Sequence, residues 1–282
     1  MGQDNEAKNN EPVKNSHQGN GHQANGHQAN GHQGNSHQAN GHQGNGHQGN
    51  SHQGNGQGAF ITFEGGEGVG KSTQILFLAW RLEAAGLKVL RVREPGGTVI
   101  GEKIRAILLN PENSDLDDVC ELLLYEATRA QLVSQVIIPA LSRGETVLCD
   151  RFSDSTLAYQ GVARGLGFEF VEHANQLGSR GLTPHRTIVL THDTKQALSR
   201  AVREGADRLE AEGLDFHRRV KLGFTQVAER YPQRVRIVQS RPDKRDTAEA
   251  VFAELRDLFP QAAELNFAIT DEYLKRVKEE HD

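Results

Sequence analysis

Cysteine, long apolar runs and surplus charge of one sign are scarce in this 282-residue chain, and each scarcity removes a class of protein. Two cysteines, Cys120 and Cys149, are too few for a disulfide framework. No apolar run approaches the roughly 18 residues a membrane-spanning helix needs. The polar N-terminus lacks the apolar segment of a signal peptide. A cytoplasmic location without a membrane partner is therefore expected. The formal net charge of −5 makes no electrostatic case for binding nucleic acid or anionic lipid. Large side chains are missing from the first part of the chain. Asn15–Asn55 repeats His-Gln-Ala/Gly-Asn-Gly/Ser, with His17, His22, His27, His32, His37, His42, His47 and His52 five residues apart. Ordering a backbone costs about 1–2 kcal/mol per residue, and this stretch has no apolar surface to offset it. Residues 1–58 are expected to be a disordered low-complexity tail. It reads either as a neutral repeat expansion or as a weak chelator of Ni²⁺, Cu²⁺ or Zn²⁺.

What is there begins near Ala59. Residues 59–260, with an extension over 261–282, suffice for one full domain core. Short apolar runs at Phe60–Phe63, Lys88–Arg93, Thr146–Cys149, Arg186–Leu190 and Val235–Val238 read as strands. Amphipathic stretches between them predict helices over Lys71–Ala85, Glu102–Leu109, Leu116–Leu141 with a bend at Pro139, Thr194–Glu204, Leu214–Arg230 and Thr247–Phe259. Apolar strands alternating with helices imply an α/β, three-layer α/β/α fold around a five-stranded parallel sheet. Ligands then bind beyond the C-terminal strand ends.

Gly65-Gly66-Glu67-Gly68-Val69-Gly70-Lys71-Ser72 fits G-x-x-x-x-G-K-S/T, between a strand and a helix. Backbone N–H groups of such a loop turn inward around phosphate oxygens, and the helix N-terminus adds its dipole. Lys71 reaches the terminal phosphates, Ser72 holds Mg²⁺, and Thr73 completes the run. Asp150, ending the strand TVLCD, suits a carboxylate beside that metal or a simple helix cap. Arg151 after it can clamp an anion.

Five segments in this order resemble the bacterial thymidylate kinases: FEGGEGVGKST (Phe63–Thr73), REPGGT (Arg93–Thr98), LLYEATRAQ (Leu123–Gln131), DRFSDSTLAYQG (Asp150–Gly161) and DRLEAEGLDFHRRV (Asp207–Val220). The likeness runs from Phe60 to Leu258 and implies a P-loop kinase that phosphorylates dTMP with Mg²⁺ and ATP as a homodimer. It implies contact of Glu67 with the sugar 3′-hydroxyl and a turn at Glu94–Pro95, often cis, beside the monophosphate. It further implies phosphate binding by Arg105, stacking of Tyr125 on the base, and a base hydrogen bond from Arg129. Tyr159 and Gln160 would lie near C2′ and the base, where a ring rejects a ribose hydroxyl.

One branch of the family carries its transfer arginine in the P-loop. Gly68 stands there here, which points to the other branch, with Arg203 and Arg208 in a lid over about 200–214. Glu64 and Asp150 are the expected carboxylates around Mg²⁺, behind its direct ligands or joined to it through water. The segment Ser240–Asp243 is expected at the adenine. A sibling kinase acting on dUMP is the nearest alternative. A His-rich, metal-handling P-loop GTPase is more remote, since its N-K-x-D guanine motif is absent.

Overall fold

The computed structural model describes residues 58–192 and 207–279. The histidine repeat, the helix expected at 194–204 and Arg203 lie outside the described residues. Five strands, β1 (Phe60–Glu64), β2 (Val89–Arg93), β3 (Thr146–Asp150), β4 (Arg186–Thr191) and β5 (Val235–Gln239), form one parallel sheet in the order β2-β3-β1-β4-β5. Each lies within one residue of its expected bounds. β1, β3 and β4 are buried along almost their whole length, as the continuous apolar runs of a sheet covered on both faces require. The edge strands β2 and β5 are only partly buried.

Helices cover both faces. On one side α1 (Lys71–Ala84) sets Ile75, Leu78 and Leu82 against Ile61, Phe63 and Ile188 of the sheet. It starts after Gly70 in the left-handed region and stops before Gly86 in the same region. α2 (Val99–Leu109) starts earlier than expected because Thr98 caps it, its Oγ1 accepting from Gly101 N at 2.9 Å.

The single helix expected over Leu116–Leu141 is three pieces. α3 (Asp118–Leu132) passes through a π turn at Val133–Ile137 into α4 (Ile138–Ser142). Pro139 has no N–H to give the preceding turn, and the widened turn absorbs the mismatch. A second π segment, Leu157–Ala163, follows the short α5 (Ser153–Thr156) and carries Tyr159 and Gln160. α6 (Phe168–Gly178), which the sequence reading did not identify, buries Val171, Asn175 and Gly178. α7 (Leu214–Arg230) has the expected bounds, while α8 (Lys244–Ala253) is capped by Asp243 and ends six residues before Phe259. The tail boundary also moves. Gly58 donates its N–H to Leu141 O at 3.0 Å and already belongs to the fold.

The extension folds back on α1. α9 (Pro260–Ala263) and α10 (Asp271–Glu279) bring Ile269 and Val277 onto Leu76, Phe77 and Trp80, with the Tyr273 ring 4.9 Å from that of Trp80. Arg81 pins the seam, its guanidinium 4.2 Å from the Phe252 ring centre, bonded to Glu249 at 2.6 Å and to Phe267 O at 3.1 Å. A fully buried large apolar side chain contributes about 1.5–3 kcal/mol. Ending the chain at Ala263 is therefore expected to lower the melting temperature by roughly 10 °C. Because Trp80 is the only tryptophan, its emission should shift to the red. Unchanged melting and emission would mean that the extension does not pack on α1.

Candidate active site

β1 runs straight into the phosphate loop. Gly65 takes φ 128°, and a Cβ there would stand 2.2 Å from Leu190 O, so only glycine lets the chain turn off the sheet at this point. Lys71 Nζ reaches back over the loop to Gly66 O at 2.9 Å and Gly65 O at 3.3 Å. Burial, then the Arg151 charge, lowers the Lys71 pKa. Ser240 Oγ, after β5, donates to Val69 O at 2.8 Å and ties the segment expected at the adenine to the loop.

Parallel pairing of β1 with β3 sets Phe63 opposite Asp150. That register brings Ser72 Oγ within 2.9 Å of Asp150 Oδ2. One hydroxyl and one carboxylate suit Mg²⁺, which keeps several waters and takes other ligands from phosphate oxygens. Among the described residues no cluster of three or more His, Cys, Asp or Glu offers an all-protein cage instead. Glu64, expected behind the metal's direct ligands, is wholly buried, accepting from Phe152 N at 2.8 Å and from Ser155 Oγ, and so holds the turn after β3. Burial and the nearby Asp154 push its carboxyl up.

Arg151 has φ 66°, a strained value for a residue with a side chain. From there its guanidinium donates to Gly65 O at 2.9 Å and pairs with Glu67, while lying 5.2 Å from the centre of the Tyr159 ring. Burial pushes Glu67 up, but Arg151 and Lys71 outweigh it and hold the carboxyl below its usual range. Glu94–Pro95 is cis, and Pro95 O accepts from Arg105 Nη1 at 2.8 Å and Arg93 Nη1 at 3.1 Å. Tyr125 and Tyr159 are buried nearby, and each feels the Arg151 charge. The sequence motifs thus converge at the C-terminal ends of β1 and β3, where the glycine loop meets Asp150, Arg151 and Tyr159.

The thymidylate kinase family pattern matches residues 63–251. A thymidylate kinase of Pelotomaculum thermopropionicum is 49% identical over 191 residues, covering 67% of this chain and 88% of that protein. One from Deinococcus radiodurans is 49% identical over 195 residues, covering 68% and 94%. A crystal structure of thymidylate kinase from Ehrlichia chaffeensis superposes with a TM-score of 0.56 at 31% identity, covering 72% of this chain and 97% of that one. The chain belongs to the thymidylate kinase family.

Two arginines expected at the ligands of this thymidylate kinase are held by protein groups. Arg129 is 1% exposed. Its Nε donates to Glu94 at 2.9 Å, its Nη1 to Glu126 and to Asn175 at 2.8 Å, and its Nη2 to Thr156 at 2.7 Å. Arg208 is also buried, with Nε on Leu108 O at 2.9 Å and Nη2 on Glu121. The sequence reading missed Glu121 and Arg164, although Glu121 lies one helical turn before Tyr125 and Arg164 four residues after Gln160. It also missed His192, whose Nε2 lies 2.9 Å from Gly68 O.

Burial raises the Glu94 carboxyl to about 7 despite Arg129 beside it, and Oε1 has no partner. The folded protein therefore binds a proton there more readily than the unfolded chain, whose ordinary value is near 4.5. Stability should fall as pH rises through the interval from about 4.5 to about 7 and level off above it, a contribution of roughly 1–3 kcal/mol. Glu94→Gln should flatten that slope in denaturant titrations between pH 5 and pH 7.5. An identical slope in the variant would remove Glu94 as its source.

Proposed function

We propose that this thymidylate kinase transfers the γ-phosphoryl group of ATP to the phosphate of dTMP, giving dTDP and ADP for dTTP synthesis. The observation that carries the reading is the convergence of the Ser72–Asp150 pair and the Glu67–Arg151–Tyr159 cluster at the mouth of one P-loop. On the donor side, the loop N–H groups and Lys71 hold the ATP phosphates, with Gly65, Gly66, Glu67, Gly68, Val69, Gly70, Ser72 and Thr73 forming the cradle. Ser72 and Asp150 hold Mg²⁺, which neutralises charge on the phosphates. The cleft beside Ser240, Arg241, Pro242 and Ala250 takes the adenine.

On the acceptor side, Arg105 and Arg151 hold the dTMP phosphate, and the turn at Glu94–Pro95 lines its seat. Glu67 accepts from the sugar 3′-hydroxyl. Tyr125 stacks on the base and Tyr159 packs against C2′, where no hydroxyl fits. Arg129 acts through the groups it orders, Glu94 and Thr156. The acceptor phosphate is already an anionic nucleophile, so catalysis is positioning and charge neutralisation, with no covalent intermediate. Gly68 supplies no cation, and Arg208 is committed to Glu121. Of the two lid arginines that the resemblance implies, Arg203, outside the described residues, is assigned the charge over the γ-phosphate.

An ATP-consumption assay over dTMP, dUMP, dCMP, UMP and thymidine tests the reading, with dTMP expected to lead. Equal rates with UMP and dTMP would remove the role given to Tyr159, and a lead by dUMP would reassign the substrate. In the same assay Arg203→Ala should lower kcat at least about 100-fold with KM little changed. Wild-type turnover would rule it out.

We place the enzyme in the cytoplasm. No described helix is long and apolar enough to cross a membrane. A homodimer is the assembly this reading favours, because α2, α3 and α6 pack side by side and expose Ile100, Ile107, Val119, Leu123, Phe170 and Leu177. Leu123→Glu should yield a monomer in sedimentation at micromolar concentration, and a wild-type monomer under those conditions would overturn the assembly. The histidine repeat, outside the described residues, is assigned at most weak chelation of transition-metal ions.

A further inference from the structure

The extension beyond Phe259 lies past the part of the chain that the family pattern matches, which ends at residue 251. It packs on the two helices that carry the donor side of the cleft. α1 starts where the phosphate loop ends, and α8 follows the turn Ser240–Asp243. Ile269 and Val277 cover Phe77 and Trp80 of α1 together with Ala248 of α8. Arg245, the second residue of α8, pairs with Asp271, the first of α10, at 2.5 Å. Both side chains stand largely in solvent, so that pair adds little.

The stronger tie is buried. Gln74 on α1 is 3% exposed, and its Nε2 donates at 3.1 Å to the carbonyl of Lys244, the first residue of α8. Its Oε1 has no partner among the described residues. Beside it lies a cavity of about 10 Å³, closed in part by Phe267 and Ile269 of the extension. A space of that size admits no bulk solvent. The extension therefore shields the Gln74 amide, and a hydrogen bond kept from water holds its partners more firmly than an exposed one. From Lys244 the order passes directly to the turn. Asp243 caps α8, its Oδ1 accepting from Arg245 N at 2.8 Å, and Arg241 N donates to Thr247 Oγ1 at 2.8 Å. Ser240 Oγ closes the circuit on Val69 O of the phosphate loop.

We propose that the extension positions the donor nucleotide: by sealing Gln74 against Lys244 it clamps α8 to α1, and so fixes the turn that holds the adenine relative to the loop that holds the phosphates. Gln74 and Phe267 are the positioning residues, and neither need touch the nucleotide. The proposal rests on the adenine position given above. Coupling of this kind is reciprocal, so a bound donor tightens the extension as much as the extension tightens the donor. The ties named here reach only the donor side, and dTMP binding is independent of them.

The test measures KM for ATP, KM for dTMP and kcat on the full chain. Gln74→Leu keeps the bulk of the side chain while removing the bond to Lys244 and an unpartnered buried oxygen. Its melting temperature should hold, while KM for ATP rises roughly 5-fold and KM for dTMP and kcat stay within about 2-fold. Phe267→Ala opens the seal and should also raise KM for ATP, and the double variant should go no further than Gln74→Leu alone. In the wild type, ADP but not dTMP should slow hydrogen exchange of the α10 amides, and Gln74→Leu should abolish that protection. Ala250→Phe, which fills the adenine cleft, should raise KM for ATP independently of the extension. An unchanged KM there would overturn the adenine position and this proposal with it. If Ala250→Phe behaves as expected, the proposal alone is overturned by an unchanged KM for ATP in Gln74→Leu, by an equal rise for both substrates, or by α10 exchange indifferent to ADP, and the extension is then packing only.

Discussion

The active cleft depends on the parallel register between β1 and β3. Neither strand carries a whole site. β1 ends in Glu64 and releases the phosphate loop, and β3 ends in Asp150, with Arg151 next in the chain. Pairing Phe63 with Asp150 sets the two ends level, and only then does Ser72 meet Asp150 and Arg151 meet Glu67. A shift of one residue would turn every side chain of a strand to the opposite face. Glu64 secures the register from beneath, binding Phe152 N and Ser155 Oγ from inside the sheet.

Above that register the pocket walls are built from buried carboxylates paired with arginines. Glu94 and Glu126 flank Arg129, Glu121 faces Arg164 and Arg208, and Asp154 takes Arg234 at 2.6 Å. Such pairs add little net stability, because desolvation offsets the attraction, whereas removing one partner leaves a buried charge costing about 3–5 kcal/mol. Their value is geometric. A guanidinium with its donors on four neighbours, as in Arg129, fixes those neighbours in direction as well as distance. The side chains around the phosphate loop therefore rest on a second layer of paired charge.

The strands were legible because a parallel sheet buried on both faces leaves continuous apolar runs, and β1, β3 and β4 are such runs. α1 was legible from its period and the glycine stop at Gly86, and α7 from its period. Other elements were missed. The π turn at Val133–Ile137 depends on how Pro139 is accommodated, and periodicity does not register a widened turn. α6 does carry an amphipathic pattern, and the sequence reading passed over it. The extension past Phe259 became readable only when Ile269, Val277 and Tyr273 were seen covering Trp80.

For the site, local pattern and tertiary structure divide the work along a physical line. The sequence by itself determined the chemistry: a glycine loop with lysine and serine, a strand-ending aspartate, and motifs similar enough to a known family to assign the cleft. Those features act through residues adjacent in the chain, so spacing alone carries them. Tertiary structure decided which polar groups face ligand and which face protein. Arg129 and Arg208 both read as ligand contacts in the sequence, yet each is held inside by partners tens of residues away. A charged side chain near a cleft looks the same on either side of its wall. Only packing says which way it points.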